Sequence, residues 1–250
     1  MHVQTLERAG RRTELDTLRG VTLVSMIAYH ACWDLVYLFG LDWPWYHSTL
    51  AYIWQQSICW IFILLSGYCW PLGRRHLRRG LLAVGGGLLV SAVTWLVMPE
   101  DGIFFGVLSL LGTATLLTIP MKPLLQRLPA RAGLAGSFLL FLLLRDVNQG
   151  YIGFEGAHLL ELPQGLYRNL FTACLGFPTA DFHSTDYFSL FPWIFLFLTG
   201  YFLFLLRREE PAPLRLPVVT ALGRHSLAIY LLHQPLVYGV LLVLNTILEF

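Results

Sequence analysis

The sequence predicts an all-α, polytopic membrane helix bundle of about seven transmembrane helices, and three observations carry that prediction. Hydrophobic residues make up 56% of the 250-residue chain and charged residues only 13%, with a mean hydropathy of +0.61, outside the range of soluble domains. Apolar runs of about 20 residues, enough to cross roughly 30 Å of hydrocarbon, recur along the chain. Fifteen of the 17 Lys and Arg residues fall in alternate connections between those runs, the asymmetry that sets membrane topology.

The first span, 19–39, begins at Arg19 and carries His30 and Asp34. The second, 50–71, carries Gln55, Gln56 and Ser57, and the third follows at 80–98. The fourth, 103–120, holds Thr113 and Thr115; the fifth, 134–152, is interrupted by Arg145 and Asp146. The connection 153–186 has no span of its own and mixes aromatic residues, Gly, Pro and acids. A connection that long in a compact domain is usually functional or disordered, and its aromatic content argues against disorder. Within it, 166–175 predicts a short interfacial helix, so the connection reads as a lid over an outward-facing cavity. The sixth span is 187–206 and the seventh, 226–248, carries His233 and Gln234. Polar residues of this kind inside spans commonly join helices by hydrogen bonds. With no repeat, low-complexity tract or separate soluble region, 1–250 reads as a single transmembrane domain. The polar first 18 residues do not make a cleavable signal peptide.

Orientation follows from charge. Arg8, Arg11, Arg12 and Arg19 precede the first span, and Arg74, Arg75, Arg78 and Arg79 lie between the second and third. Lys122, Arg127 and Arg131 lie between the fourth and fifth; Arg207, Arg208, Arg215 and Arg224 lie between the sixth and seventh. The opposite side keeps Arg145 and Arg168 and collects Asp42, Glu100, Asp101, Glu155, Glu161, Asp181 and Asp186. The N-terminus is therefore expected in the cytoplasm and the C-terminus outside. The net charge of +2 reports topology and gives no reason to expect a nucleic-acid partner. Cys32, Cys59, Cys69 and Cys174 have no metal-like spacing and read as small apolar fillers. No metal site is expected.

The chemistry concentrates on the first span. Arg19 and His30 are eleven positions apart, almost three helical turns, which puts them on one face with Asp34, Met26 and Tyr37. A rise of about 1.5 Å per residue separates arginine and histidine by roughly 16 Å. With Arg19 at a membrane surface, His30 lies near mid-bilayer, where ionisable groups are costly and mark functional sites. An i, i+4 His–Asp pair can hydrogen-bond, with the carboxylate fixing the imidazole tautomer. That is the base-and-orienter part of an acyl-transfer site; the plainer alternative is a polar cluster holding helices together. Guanidinium forks bind phosphate, so Arg19, then Arg74, Arg75, Arg79 and Arg224, are candidates for a phosphorylated cytosolic ligand, and His233 is a further donor-side candidate. The remaining arginines need only orient the protein and meet anionic lipid. The pantetheine arm of coenzyme A is comparable in length to the roughly 16 Å between Arg19 and His30. His47 follows Trp43, Trp45 and Tyr46, which read as an interfacial aromatic belt, and it is the second catalytic candidate, at the outer mouth. Gln55 and Gln56 are candidates for the acceptor or the oxyanion, and Asp186 for the acceptor.

At these residues the chain resembles a known family. Leu15-Asp16-Thr17-Leu18-Arg19-Gly20 and Tyr29-His30-Ala31-Cys32-Trp33-Asp34-Leu35 look like the first helix of the heparan-α-glucosaminide N-acetyltransferase catalytic-domain family, in its short bacterial branch. Phe104-Phe105-Gly106-Val107-Leu108, Asp186-Tyr187-Phe188-Ser189-Leu190-Phe191-Pro192-Trp193 and Leu222-Gly223-Arg224-His225-Ser226-Leu227, followed by Tyr230-Leu231-Leu232-His233-Gln234-Pro235, extend the similarity over about 12–240. The arginine-to-histidine spacing is also similar to that of the wider transmembrane acyltransferases that modify surface glycans. The resemblance implies transfer of acetyl from cytosolic acetyl-CoA to a sugar or glycan beyond the membrane, in a multi-pass protein of the bacterial cytoplasmic membrane, and it admits a homodimer. In the lysosomal members an asparagine stands at the position of His30 and a histidine of the following loop is the proposed catalytic residue. His47 matches it by spacing to the second span once a one-residue gap is allowed, whereas the bacterial branch resembles this chain in having both His30 and Asp34. Ser109 replaces a histidine found in many relatives. The large luminal domain of the lysosomal enzymes has no counterpart, so heparan sulfate is not carried over as the acceptor.

The expected activity is thus an acetyl-CoA-dependent membrane acetyltransferase acting on an amine or hydroxyl of an extracytoplasmic glycan or amino sugar. His30 would serve as base or acetyl carrier and Asp34 would orient it. The rival is a proton-coupled transporter using His30 and Asp34 as a relay, against which stands the lack of inverted repeats and paired broken helices. A retinal photoreceptor needs a lysine within a span, and the single lysine, Lys122, lies in a connection. A non-catalytic scaffold would be indifferent to the loss of His30.

Overall fold

The computed structural model describes residues 12–207 and 216–248; Arg8, Arg11, Arg208 and Arg215 of the charge pattern lie outside the described residues. The chain divides into two compact units, Met1–Phe62 with Glu209–Phe250, and Ile63–Arg208.

The first unit is built on α1 (Thr13–Trp33), which starts six residues before the predicted span. Glu14 and Asp16 in its first turn suit the positive end of the helix dipole. The helix runs on without a break into a π-helical turn, Asp34–Leu38, closed where Phe39 N–H bonds the Asp34 carbonyl at 3.0 Å. After a 3-10 turn at Pro44–His47 comes α2 (Thr49–Cys69). Two helices from the other end of the sequence join this unit, α8 (Pro217–Arg224) and α9 (Ser226–Leu248).

Small residues let α1 and α8 touch backbone to backbone, as packed membrane helices do. A Cβ on Gly20 would stand 2.0 Å from the Val219 carbonyl oxygen, and one on Gly223 would stand 1.8 Å from that of Asp16. The hydroxyls of Thr17 and Thr220 meet across this contact at 2.7 Å. Farther along α1, Leu23, Met26 and Ile58 form a buried cluster flanked by Tyr29, Trp54, Leu222 and Ile229. Trp54 Nε1 donates to Ser25 Oγ at 2.8 Å and fixes α2 against α1.

The second unit pairs α3 (His76–Val97) with α4 (Val107–Leu125), and α5 (Ala130–Leu143) with α7 (Leu190–Leu206). Ser137 on α5 and Thr199 on α7 share a hydrogen bond of 3.0 Å beside the buried Phe141, Leu196, Phe197 and Phe202. Between α5 and α7 stand an antiparallel hairpin, β1 (Tyr151–Phe154) and β2 (Ala157–Glu161), and the short α6 (Leu170–Leu175), capped by Asn169.

Among the described residues five helices, counting α1 together with its π turn, are long and apolar enough to cross a membrane, and α5 and α7 are shorter apolar helices. Each of the seven predicted spans coincides with one of these, and the fold is the predicted all-α polytopic bundle. Three details differ. The fifth span does not run to 152, because α5 stops at Leu143 and the polar residues behind it build a turn. There Asp146 Oδ2 accepts from Tyr151 Oη and from Gly156 N–H, each at 3.0 Å, while Arg145 lies over the Trp193 ring at 4.8 Å and pairs with Glu155 at 3.5 Å. The connection after it is structured by the hairpin, and the helix expected over 166–175 is shortened to α6 behind a 3-10 turn at Gln164–Leu166. Finally, α8 occupies a stretch read as a connection; Pro217 at its start supplies a fixed φ where no N–H is needed.

Candidate active site

The first unit gathers ionisable residues in two layers along α1. The first lies near its N-terminus. Asp16 is buried and lies 3.0 Å from Arg19 Nη1 and 3.7 Å from Arg224 Nε, so two of the expected phosphate-binding arginines share one carboxylate. Arg224, in the last turn of α8, is brought there by the Gly20–Val219 and Gly223–Asp16 contacts.

The second layer lies eleven residues on, roughly 16 Å along the helix. Here α9 packs along α1. The rings of His30 and His233 approach to 4.9 Å between centroids at 60°, and Tyr29 meets His30 edge-on at 6.2 Å. His233 Nδ1 lies 2.6 Å from the Tyr230 carbonyl oxygen. A carbonyl can only accept, so Nδ1 carries the proton and Nε2 is left with a lone pair. That Nε2 is buried and has no hydrogen-bond partner among the described residues. Asp34, fully buried, accepts from Gln234 Nε2 through Oδ1, while its Oδ2 and Gln234 Oε1 are buried without a partner among the described residues. His30 of α1 and Asp34 of the π turn are thus matched to 233 and 234 of α9, just before Pro235, which interrupts the helix's own hydrogen bonding.

Beyond this layer an aromatic wall runs on toward the 3-10 turn at Pro44–His47. Tyr29 contacts Tyr46 at 5.3 Å and Trp54 at 5.2 Å; Tyr46 contacts Tyr37 at 6.2 Å, and Tyr37 contacts His47 at 5.9 Å. Burial pushes the Tyr46 phenol up from its ordinary value.

Of the residues expected to carry function, the structure therefore brings together His30, Asp34 and His233, and separately Arg19 and Arg224. His47 stands exposed on the 3-10 turn, at the far end of the aromatic wall. Gln55 is half-buried on α2, and Gln56 accepts from Trp60 Nε1 at 3.2 Å. Arg74 and Arg75 are exposed ahead of α3 in the second unit. Asp186, also in that unit, accepts from Val107 N–H at 3.5 Å at the start of α4, and burial pushes its carboxyl up to about 6. Two local expectations are corrected. His30 and Asp34 do not hydrogen-bond, because Gln234 on α9 takes the carboxylate. Tyr37 leaves the shared face and is 55% exposed, because the π turn winds wider than an α-helix. Sequence reading missed Asp16 and Gln234 as partners. Asp16 was legible as an i, i+3 partner of Arg19; Gln234 stood beside His233 with nothing local to link it to Asp34.

A family model described as heparan-alpha-glucosaminide N-acetyltransferase, catalytic, matches residues 11–235. The chain belongs to that family. No curated protein and no solved structure matches it. As a heparan-alpha-glucosaminide N-acetyltransferase family member it is a multi-pass membrane acetyltransferase, and the matched region holds both layers of the site, from Asp16 to Gln234.

Proposed function

We propose that this chain works as one transmembrane domain that moves an acetyl group from cytosolic acetyl-CoA to an amine or hydroxyl of a glycan or amino sugar outside a bacterial cytoplasmic membrane. The observation that supports this reading most is the His30–His233 ring pair beside the buried Asp34, in a layer where His233, Asp34 and Gln234 each hold a buried polar atom with hydrogen-bonding capacity to spare.

His30 acts as the base on the acceptor or as the transient acetyl carrier. Its ring is positioned by Tyr29 and His233 through contact alone. Asp34, one helical turn on, supplies the negative charge that stabilises the imidazolium formed during transfer, and Gln234 holds that carboxylate in place. Arg19 and Arg224, held by Asp16, bind the donor's phosphates; Arg74 and Arg75 are further candidates for the same role. The acceptor enters along the aromatic wall between His47 and Tyr29, where sugar C–H faces pack on rings and the His47 imidazole offers a polar contact. Gln55 and Gln56 are candidates for stabilising the oxyanion, and Asp186 for contact with the acceptor.

The test uses the purified protein in liposomes with acetyl-labelled acetyl-CoA and glucosamine as acceptor. Label should move to the amino sugar, and His30→Ala should cut the rate by about 10²- to 10⁴-fold, the usual worth of a general base. Calorimetry should show acetyl-CoA bound by His30→Ala and lost from Arg19→Ala. A well-folded wild type that neither binds acetyl-CoA nor transfers label overturns the reading.

A further inference from the structure

Resting on the acetyl-transfer reading, we propose that His233 is the proton-relay partner of His30 and not a contact for the donor. Three observations place it in that role. The two rings lie face to edge at 4.9 Å, close enough for a ring rotation of His30 to bring one of its N–H groups onto His233 Nε2. The His233 tautomer is set by the Tyr230 carbonyl at 2.6 Å, so the nitrogen left to receive a proton is Nε2. That nitrogen is buried with no partner among the described residues, and a buried acceptor left unanswered is costly in a folded chain. A hydrogen bond donated by His30 answers that acceptor and sets up the path for the proton.

The neighbouring pair keeps the register. Gln234 Nε2 bonds Asp34 one helical turn from His30, which fixes the depth of α9 against α1 and so the height of His233 beside His30. The titratable groups around His233 are accordingly His30, Asp34 through Gln234, and the Tyr230 ring at 5.5 Å.

The step balances as follows. The acceptor's lone pair attacks the acetyl carbonyl carbon, and the acceptor proton passes to the bare ring nitrogen of His30. His30 gives the proton on its other nitrogen to His233 Nε2. The new C–N or C–O bond forms as the C–S bond breaks, and the thiolate takes back the proton from His233 through His30. Both rings end in the tautomers in which they began. His233 acts through His30 throughout and is a positioning and relay residue; the nucleophile itself meets His30.

The experiment measures kcat, KM for acetyl-CoA and the proton inventory of kcat in H₂O–D₂O mixtures, with glucosamine as acceptor. It compares the wild type in liposomes with His233→Gln and His233→Asn, and thermal midpoints report folding. The relay predicts a curved inventory in the wild type, from two protons in flight. It predicts a linear inventory in the variants, with kcat down about 10- to 100-fold and KM for acetyl-CoA within about twofold. A linear wild-type inventory overturns the relay whether or not the variants fold. So does a variant with unchanged kcat, or one whose KM for acetyl-CoA rises about tenfold or more while kcat is kept, the signature of a donor contact. A wild type that turns over nothing overturns the acetyl-transfer reading and the relay together; turnover with any of the other results overturns the relay alone.

Discussion

The Asp16 layer and the His30 layer sit on the same helix, yet they treat buried polar atoms in opposite ways. At Asp16 each charge and hydroxyl is answered within the chain: two arginines meet one carboxylate, and Thr17 bonds both Thr220 and the Thr13 carbonyl. At His30 three acceptors, on Asp34, His233 and Gln234, are buried without partners among the described residues. The difference teaches that the fold can satisfy buried polar groups where two helices touch. Leaving them open one layer on has a cost in stability of about 1–3 kcal/mol for each unanswered group. Under the proposed function, a reacting molecule would supply the missing half of those bonds.

The contrast breaks most visibly if the Asp16 layer can be loosened without harm. In Gly223→Ala the new Cβ meets the Asp16 carbonyl oxygen, so α8 must back away and the Thr17–Thr220 and Asp16–Arg224 contacts open. The expected loss is about 2–4 kcal/mol, measured as a lower thermal midpoint in detergent. An unchanged midpoint means that this layer is not what joins the helices. Asp34→Asn probes the other layer, since its Oδ1 can still accept from Gln234 while the charge and the open oxygen are gone. Acetyl transfer should fall about 100-fold, with stability equal to wild type or above it. A destabilised but fully active variant would make the His30 layer structural.

Asp186 provides a smaller contrast from the second unit, where a half-buried carboxyl accepts from the Val107 backbone N–H at 3.5 Å. Burial raises its pKa from 3.8 to about 6, so in that window the folded chain holds a proton that the unfolded chain has released. The sign is therefore a stabilisation present in full below pH 4 or so and lost as pH rises through about 6. Between those limits wild type should lose roughly 1–2 kcal/mol relative to Asp186→Asn, the shift being discounted for partial exposure. Parallel stability–pH curves for the two proteins would remove Asp186 as the source.

Long-range pairings account for most of what sequence reading failed to find. The apolar helices were legible because membrane thickness fixes their length, and His30 and Asp34 stood out because charge at that depth is costly. The bond from Gln234 to Asp34 joins residues 200 positions apart, and no local pattern encodes it. The end of α5 was misjudged because Arg145 and Asp146 find partners in Glu155, Trp193, Tyr151 and Gly156, which turns a flaw in a span into the base of a hairpin. The short α8 lacked the length that made the others visible, although Gly223 and Thr220 show in retrospect why it lies so close to α1.

The π turn at Asp34–Leu38 gives the outer end of α1 its own phase. It uncouples the direction in which Tyr37 points from the direction set by Leu23 and Met26, which are locked in the core. Under the proposed function, a change of one residue in that turn would swing Tyr37 and the rings beside it toward a differently shaped acceptor, while leaving the arginine end of the same helix where it is. The acceptor side and the donor side of such an enzyme would then be open to separate evolutionary change.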